Sequence, residues 1–156
     1  TLHLFRGARD EFAWNPSSEE SVMKIDGGCH CGALTYEAEV DLGMVTMCHC
    51  TDCQKMSGTA FRTVGHAAEE HFKLLSGVPK IYEKKAESGA RRAMAFCENC
   101  GTQIYGTSVG EGPKVYGIRL GTANQRDSLI PKRQIWGRSS MPWLSALGDV
   151  PGIEKD

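Results

Sequence analysis

Seven cysteines, gathered in three short groups, are the residues of this sequence best suited to chemistry. The groups are Cys29-His30-Cys31, Cys48-His49-Cys50-Thr51-Asp52-Cys53 and Cys97-Glu98-Asn99-Cys100. A disulfide between cysteines one residue apart would be strained, and secreted disulfide scaffolds normally have an even number of cysteines in a shorter chain. Tight pairs that lie far apart in sequence are typical of metal coordination by thiolates. The sequence therefore predicts metal sites rather than disulfides, and with them a reducing compartment such as the cytoplasm.

Two of the groups share a cysteine-glycine ending that assigns four cysteines to one site. Cys31-Gly32 and Cys100-Gly101 are each followed by a tyrosine at the same offset, and each comes just before a predicted strand. Glycine in such a turn accepts positive φ and leaves backbone N–H groups free to point at thiolate sulfur. We predict that Cys29, Cys31, Cys97 and Cys100 hold a tetrahedral structural zinc, which would join an early strand to a late one and contribute to folding.

The two segments that end in Cys31-Gly32 and Cys100-Gly101 are called knuckles below. The remaining cysteines, Cys48, Cys50 and Cys53, form a trio that differs from the knuckles, because Gln54 rather than glycine follows Cys53. Three ligands leave the fourth position of a zinc ion to water or substrate, which is typical of a reactive site. Three thiolates outweigh the charge of Zn²⁺, so the ion activates water weakly but suits an incoming thiol, whose pKa coordination lowers. The predicted chemistry is attack by, or release of, a thiolate at an electrophilic carbon.

Two other interpretations of the trio remain open at this stage. A histidine could complete the tetrahedron and make a second structural site, with His49, His66 and His71 as the candidates. The trio could also hold no metal, although clustered thiols bind soft metals readily. Zinc-dependent deamination is excluded, because no histidine has glutamate two residues on and no proline precedes a cysteine pair.

The elements that must position these cysteines are mostly β-strands. Residues 34–40 alternate apolar and polar side chains, as in a half-buried strand. Further strands are predicted at residues 59–64, 93–96, 102–105 and 115–120, with a hairpin formed by residues 72–75 and 80–83 around a turn at 76–79. Short helices are predicted only near residues 67–70 and 143–147. Many short strands separated by turns favour a mostly β domain.

Length and composition are those of a single soluble domain. The chain has 156 residues, 40% apolar and 24% charged, with a formal net charge of -1. This balance gives no reason to expect nucleic acid or an anionic membrane as a partner. No apolar run approaches a membrane span, and the start, TLHLFRGARDEF, lacks the apolar core of a signal peptide. We predict a peripheral arm at 1–24, one zinc domain at 25–150 and a tail at 151–156.

The three cysteine motifs, in this order, resemble those of the glutathione-dependent formaldehyde-activating enzyme family, also called the Gfa/CENP-V family. The resemblance covers about residues 27–147. It is carried by Gly27-Gly28-Cys29-His30-Cys31-Gly32-Ala33-Leu34, Cys48-His49-Cys50-Thr51-Asp52-Cys53-Gln54-Lys55-Met56-Ser57-Gly58 and Phe96-Cys97-Glu98-Asn99-Cys100-Gly101-Thr102, and by Gly121-Thr122, Pro131, Gln134-Ile135-Trp136 and Pro142-Trp143 near the end.

The resemblance implies an Mss4-like fold of antiparallel sheets with two zinc ions. It implies structural zinc at the four-cysteine set and a candidate catalytic zinc at the trio. The implied activity is that of a carbon–sulfur lyase, which joins glutathione to formaldehyde as S-hydroxymethylglutathione. Arg91-Arg92 and Lys84-Lys85 could pair with the glutathione carboxylates, although such runs are more typical of a solvated face. No residue is identified as a general base, and Trp136 and Trp143 are expected to pack in the core or a lid.

Two functions of other classes compete with this enzyme. The first is a non-catalytic zinc domain that binds a protein partner, against which the open trio argues. The second is methionine sulfoxide reduction, which needs a reactive cysteine outside the zinc sites, whereas all seven cysteines are assigned to metal.

Overall fold

The computed structural model describes residues 21–155, which form two β-sheets and one short α-helix. The strands are β1 (Val22–Gly28), β2 (Thr35–Asp41), β3 (Thr46–Cys48), β4 (Arg62–Ala68), β5 (Phe72–Ser76), β6 (Lys80–Lys85), β7 (Arg91–Phe96), β8 (Gln103–Ser108), β9 (Val115–Arg119) and β10 (Arg133–Ile135). The helix α1 spans Thr51–Ser57, and short 3₁₀ helices lie at Leu42–Met44, Glu69–His71, Leu120–Thr122, Arg126–Ser128, Gly137–Ser139 and Pro142–Asp149. None of the described helices is long and apolar enough to cross a membrane.

The smaller sheet has the order β1-β2-β5, with both pairs antiparallel. The alternation seen in the sequence orients β2, because Tyr36, Ala38 and Val40 are buried while Glu37 between them is exposed. β1 begins at Val22, two residues before the predicted end of the N-terminal arm. Residues 1–20 of that arm, and residue 156, lie outside the described residues.

The larger sheet has the order β10-β3-β4-β9-β8-β7-β6. Its neighbouring strands are antiparallel except for β3 and β10, which are parallel. The core lies between the two sheets, where Phe72 of β5 stacks on Tyr116 of β9 with ring centroids 4.6 Å apart. The predicted mostly β fold of antiparallel sheets is confirmed, and the architecture is consistent with the Mss4-like fold.

The hairpin predicted from residues 72–75 and 80–83 is wrong, although both strands exist. β5 pairs with β2 in the smaller sheet, whereas β6 pairs with β7 at the edge of the larger one. Pro79 biases Val78 toward an extended backbone, so the chain continues from one sheet to the other instead of reversing. Phe72 and Leu74 pack against the core from β5, while β6 is largely exposed.

The α-helix that contains Cys53 and is capped by Cys50 was not predicted. α1 has no buried residue, so its sequence TDCQKMS lacks the apolar stripe by which helices are recognised. Of the two helices that were predicted, the first is mostly the end of β4 followed by a 3₁₀ turn at Glu69–His71. The second falls within the 3₁₀ segment Pro142–Asp149.

Two candidate metal centres

The structure brings together the four knuckle cysteines, which come from two parts of the chain that are far apart in sequence. The Sγ atoms of Cys29, Cys31, Cys97 and Cys100 all lie within 4.8 Å of one another. The Sγ atoms of Cys29 and Cys31 are 3.6 Å apart, and those of Cys31 and Cys97 are 3.7 Å apart. Cys29 and Cys97 are buried, and all seven cysteines are free thiols. Four sulfurs at this separation could surround one metal ion.

The two halves of this cluster have the same backbone geometry. Gly32 donates its N–H to Cys29 O at 3.1 Å with φ +80°, and Gly101 donates to Cys97 O at 2.7 Å with φ +78°. Glycine is the residue that adopts this left-handed conformation without strain. The repeated cysteine-glycine-tyrosine spacing in the sequence therefore corresponds to a repeated turn.

Hydrogen bonds to sulfur prepare the cluster for a cation. Leu34 N donates to Cys29 Sγ at 3.2 Å, and Asn99 Nδ2 donates to Cys31 Sγ at 3.3 Å. Such donors stabilise thiolate, the form of cysteine that binds metal. An all-sulfur set of four is the donor chemistry of structural zinc, so the residues present fit that ion.

The other three cysteines meet where β3 ends and α1 begins. Cys48 is the last residue of β3, Cys50 is the N-cap of α1, and Cys53 lies in its first turn, with all three Sγ atoms within 4.8 Å of one another. Cys53 N donates to Cys50 Sγ at 3.2 Å. The missed helix thus explains the spacing of the motif, because one helical turn places Cys53 beside its own capping residue.

The sulfurs of the trio share their protons unequally. A hydrogen bond from Cys48, with a second from Cys53, lowers the pKa of Cys50 to about 2. The bond to Cys50 in turn raises the pKa of Cys48. Lys84, whose Nζ lies 2.6 Å from Asp52 Oδ2 at the start of α1, also favours the Cys50 thiolate. The trio therefore carries thiolate character, which suits it to a soft or borderline cation.

The histidines considered as a fourth ligand lie elsewhere. His49 is 1% exposed, and its Nε2 lies 2.8 Å from Gln134 Oε1. His66 Nδ1 lies 3.1 Å from Met44 O, and His71 Nδ1 lies 3.1 Å from Glu39 Oε2. Among residues 21–155, no histidine or carboxylate joins the three sulfurs within 4.8 Å. The described part of the chain therefore supplies three ligands at this centre.

A cleft of about 380 Å³ lies between α1 and the Cys100 knuckle. Arg62 and Arg119 line it, together with Ser57, Gly101 and Gln103. The buried Arg62 donates Nη2 to Gln103 Oε1 at 2.6 Å, and Gln103 Nε2 donates to Met56 O of α1 at 2.9 Å. In the register of the larger sheet, Arg62 is the direct partner of Cys48. Neither arginine was singled out in the sequence analysis, since each is a lone arginine in a short strand with no motif around it.

The C-terminal segment closes one side of the trio. Ile135 of β10 is the direct partner of Cys48, and Gln54 Nε2 donates to both His49 O and Ser139 O at 2.8 Å. Trp136 follows with φ 58°, the only described non-glycine residue with positive φ. Trp136 is 38% exposed and Trp143 is 52% exposed, so neither belongs to the core, and packing in a lid, the other expectation from the sequence, stays a prediction.

Comparisons with known proteins identify the family. The family model described as glutathione-dependent formaldehyde-activating enzyme matches residues 24–139, a span that contains all seven cysteines. A Rhodobacter sphaeroides protein of known crystal structure is similar with a TM-score of 0.52 and 20% identity, over 70% of this chain and 98% of that one. At this identity the likeness supports the fold alone. Since the family match covers well over half of the 156 residues, the chain belongs to the glutathione-dependent formaldehyde-activating enzyme family.

Proposed function

We propose that this protein is a zinc-dependent enzyme of the carbon–sulfur lyase type that handles a thiol adduct. Formation of S-hydroxymethylglutathione from glutathione and formaldehyde is the reaction that the family's description suggests. The observation that carries the proposal is the contrast between the two clusters, which bring together four sulfurs in one and three in the other. A full set of four protein ligands suits a structural ion, whereas three leave a position for a substrate thiol.

Both donor sets fit zinc, although the ions would have different tasks. Cys29, Cys31, Cys97 and Cys100 would hold a structural ion, and Cys48, Cys50 and Cys53 a catalytic one. When bound at the trio, zinc supplies a charge that lowers the pKa of an incoming thiol. Free thiolates of this kind persist in a reducing compartment, so we propose a cytoplasmic location.

The residues of the chain orient the reactants around this centre. The hydrogen bond from Gln54 to Ser139 O holds the C-terminal segment against α1, so this segment has a fixed position on one side of the trio. Arg62, held by Gln103, places a positive charge on the strand next to Cys48, where it favours a thiolate. The substrate sulfur forms a bond to the carbonyl carbon, the carbonyl electron pair moves to oxygen, and that oxygen takes the proton released by the thiol. The reverse reaction cleaves the same carbon–sulfur bond.

Cys50→Ser tests this function, because Cys50 lies in the trio and outside the four-cysteine cluster. Wild-type protein loaded with zinc should bind two ions and accelerate exchange between glutathione, formaldehyde and their adduct, measured by NMR exchange spectroscopy. The variant should keep its fold and one ion and lose the acceleration. If zinc-loaded wild type gives no acceleration over the uncatalysed exchange, the proposal is wrong.

A non-catalytic zinc domain that binds a protein partner is the second candidate. It is favoured by apolar side chains exposed along the C-terminal segment, where Trp143, Leu147, Val150 and Ile153 are 52%, 53%, 61% and 80% exposed. If Cys50→Ser unfolds the domain, the trio is structural and this candidate gains.

A further inference from the structure

The guanidinium of Arg119 packs against the backbone of two glycines in the larger sheet. Gly106 of β8 and Gly117 of β9 are direct partners. A Cβ on Gly106 would lie 2.7 Å from Arg119 Nη2, and a Cβ on Gly117 would lie 3.6 Å from Nη1. Arg119 Nη1 also donates to Gly117 O at 3.1 Å. Because glycine has no Cβ, the guanidinium has room to lie close to the sheet at these two positions.

Two further arginines share this face. Direct partners in antiparallel strands, and residues two apart in one strand, project to the same side of a sheet. Arg119 is the partner of Val64, which is two residues from Arg62 in β4. Gly106 is the partner of Met94, which is two residues from Arg92 in β7. Arg62, Arg92 and Arg119 therefore form one basic face, which we call the arginine face.

None of the ion pairs found among the described residues involves the arginine face. The ion pairs found between residues 21 and 155 do not include Arg62, Arg92 or Arg119. Arg62 bonds to an amide and Arg119 to a backbone carbonyl, and the buried Nε of Arg119 has no partner. Within the same range, no side-chain hydrogen bond is found for the partly buried Arg92.

These cations interact with one another and with the trio. Burial, followed by the positive charge of Arg62, lowers the pKa of Arg119 to about 9, and Arg92 acts in the same direction. Thiolates at Cys53 and Cys48 act in the opposite direction. Keeping like charges together away from water is costly unless an anion compensates them. The trio supplies part of that charge, and a second anion would complete it.

We propose that Arg92 and Arg119 bind a carboxylate of the thiol substrate, so that the enzyme selects thiols that carry an acid group. This inference rests on the proposed function in so far as the ligand is its thiol substrate. A guanidinium presents a planar fork of donors that matches a carboxylate. Arg91 provides the contrast, because it is exposed, forms an ion pair with Glu83, and precedes Arg92 in β7, so it projects from the other side. For Arg91-Arg92 the sequence favoured a solvated face over pairing with the glutathione carboxylates, and in the structure Arg91 is exposed whereas Arg92 is partly buried.

The probe that tests the arginine face is S-methylglutathione, because its methylated sulfur cannot bind the trio as a thiolate. Calorimetry on the zinc-loaded full chain should detect S-methylglutathione and find its dimethyl ester at least about tenfold weaker. A charge-assisted hydrogen bond contributes enough for about a 10- to 100-fold change in affinity. Arg92→Met should weaken S-methylglutathione binding by such a factor, and Arg91→Met should leave it unchanged.

The outcomes separate this inference from the proposed function. If S-methylglutathione and its ester bind equally, or if Arg92→Met binds like wild type, the arginines only balance the charge of the trio and the inference is wrong. If the ester is discriminated against but no adduct exchange is accelerated, the carboxylate site stands and the proposed reaction fails. If exchange is accelerated equally for glutathione and for cysteamine, which has no carboxylate, the reaction stands and the selection fails. Arg119→Lys, which keeps the charge, provides a second variant if Arg92→Met does not fold.

Discussion

Replacing two cysteines by serine should destabilise the domain far more in the four-cysteine cluster than in the trio. Two double variants are compared. One carries Cys97→Ser and Cys100→Ser, and the other carries Cys50→Ser and Cys53→Ser. The first pair of changes breaks a link between sulfurs 66 positions apart in the chain, Cys31 and Cys97. The second removes ligands only three positions apart at the start of one helix.

The two losses follow from chain entropy. Closing a loop of that larger size by a cross-link restricts the unfolded chain by about 4 kcal/mol, and closing the short one by about 2 kcal/mol. A domain of this kind has a total stability of about 5–15 kcal/mol, so the first loss is a large share of the whole. The second loss is an upper bound, because Cys50 and Cys53 are already fixed by their own helix cap.

Urea denaturation followed by far-UV circular dichroism measures both losses. The zinc-loaded double variants should each bind one ion fewer than wild type. Cys97→Ser with Cys100→Ser should lower the free energy of unfolding by about 4 kcal/mol, or unfold the domain outright, and the trio variant by no more than about 2 kcal/mol. Equal losses, or a greater loss in the trio variant, would refute the assignment of the four-cysteine cluster as the structural one.

Three other predictions concern single residues. Trp136→Gly relieves the φ of 58° but also removes a large side chain that is more than half buried and that lies 4.8 Å from the Arg138 guanidinium, so it should lower the free energy of unfolding by about 1–2 kcal/mol, and an unchanged or raised melting temperature would contradict this. Gly106→Ala should cost about 1–3 kcal/mol and displace Arg119, whereas Gly121→Ala, whose Cβ meets nothing within 4 Å, should be neutral in the same urea titration. Because burial lowers the pKa of His66 to about 4, the folded state binds fewer protons than the unfolded one below pH 6.5. Wild type should therefore lose about 1.4 kcal/mol per pH unit relative to His66→Gln as pH falls from 6.5 toward 4, and a constant difference would contradict it.

Local sequence signals were sufficient for the strand β2 and for the division of the cysteines. The alternation through Tyr36, Ala38 and Val40 depends on which side of one strand is buried, and neighbouring residues reveal that. The glycines that follow Cys31 and Cys100 mark a backbone turn that few other residues adopt, so their repetition indicated two similar turns. In both cases the information lies within a few residues of the feature it predicts.

Features that depend on strand order could not be predicted in this way. Residues 72–75 and 80–83 have the pattern of a hairpin, but their partners are β2 and β7, which are remote in sequence. The arginine face exists only because the sheet order brings β4, β9, β8 and β7 side by side. A single arginine in a short strand carries no local mark of what its neighbours will be. The helix α1 was missed for a different reason, since the ligands themselves occupy its first turn and leave no apolar stripe.

The dimensions of the larger sheet connect the two halves of the proposed site. Cys48 lies in β3 and Arg119 in β9, two places along in the strand order. Strands are about 4.8 Å apart, and Arg119 is in register with Thr46, two residues from Cys48, so the Cα atoms of Cys48 and Arg119 are separated by about 12 Å. A short extended peptide spans about 3.5 Å per residue, and about three to four residues therefore cover this separation. A thiol of tripeptide size could place its sulfur at the trio and an acid group on the arginine face at the same time. Smaller thiols such as cysteamine reach the trio alone, and this is why carboxylate recognition and metal chemistry can be separated by experiment in this protein.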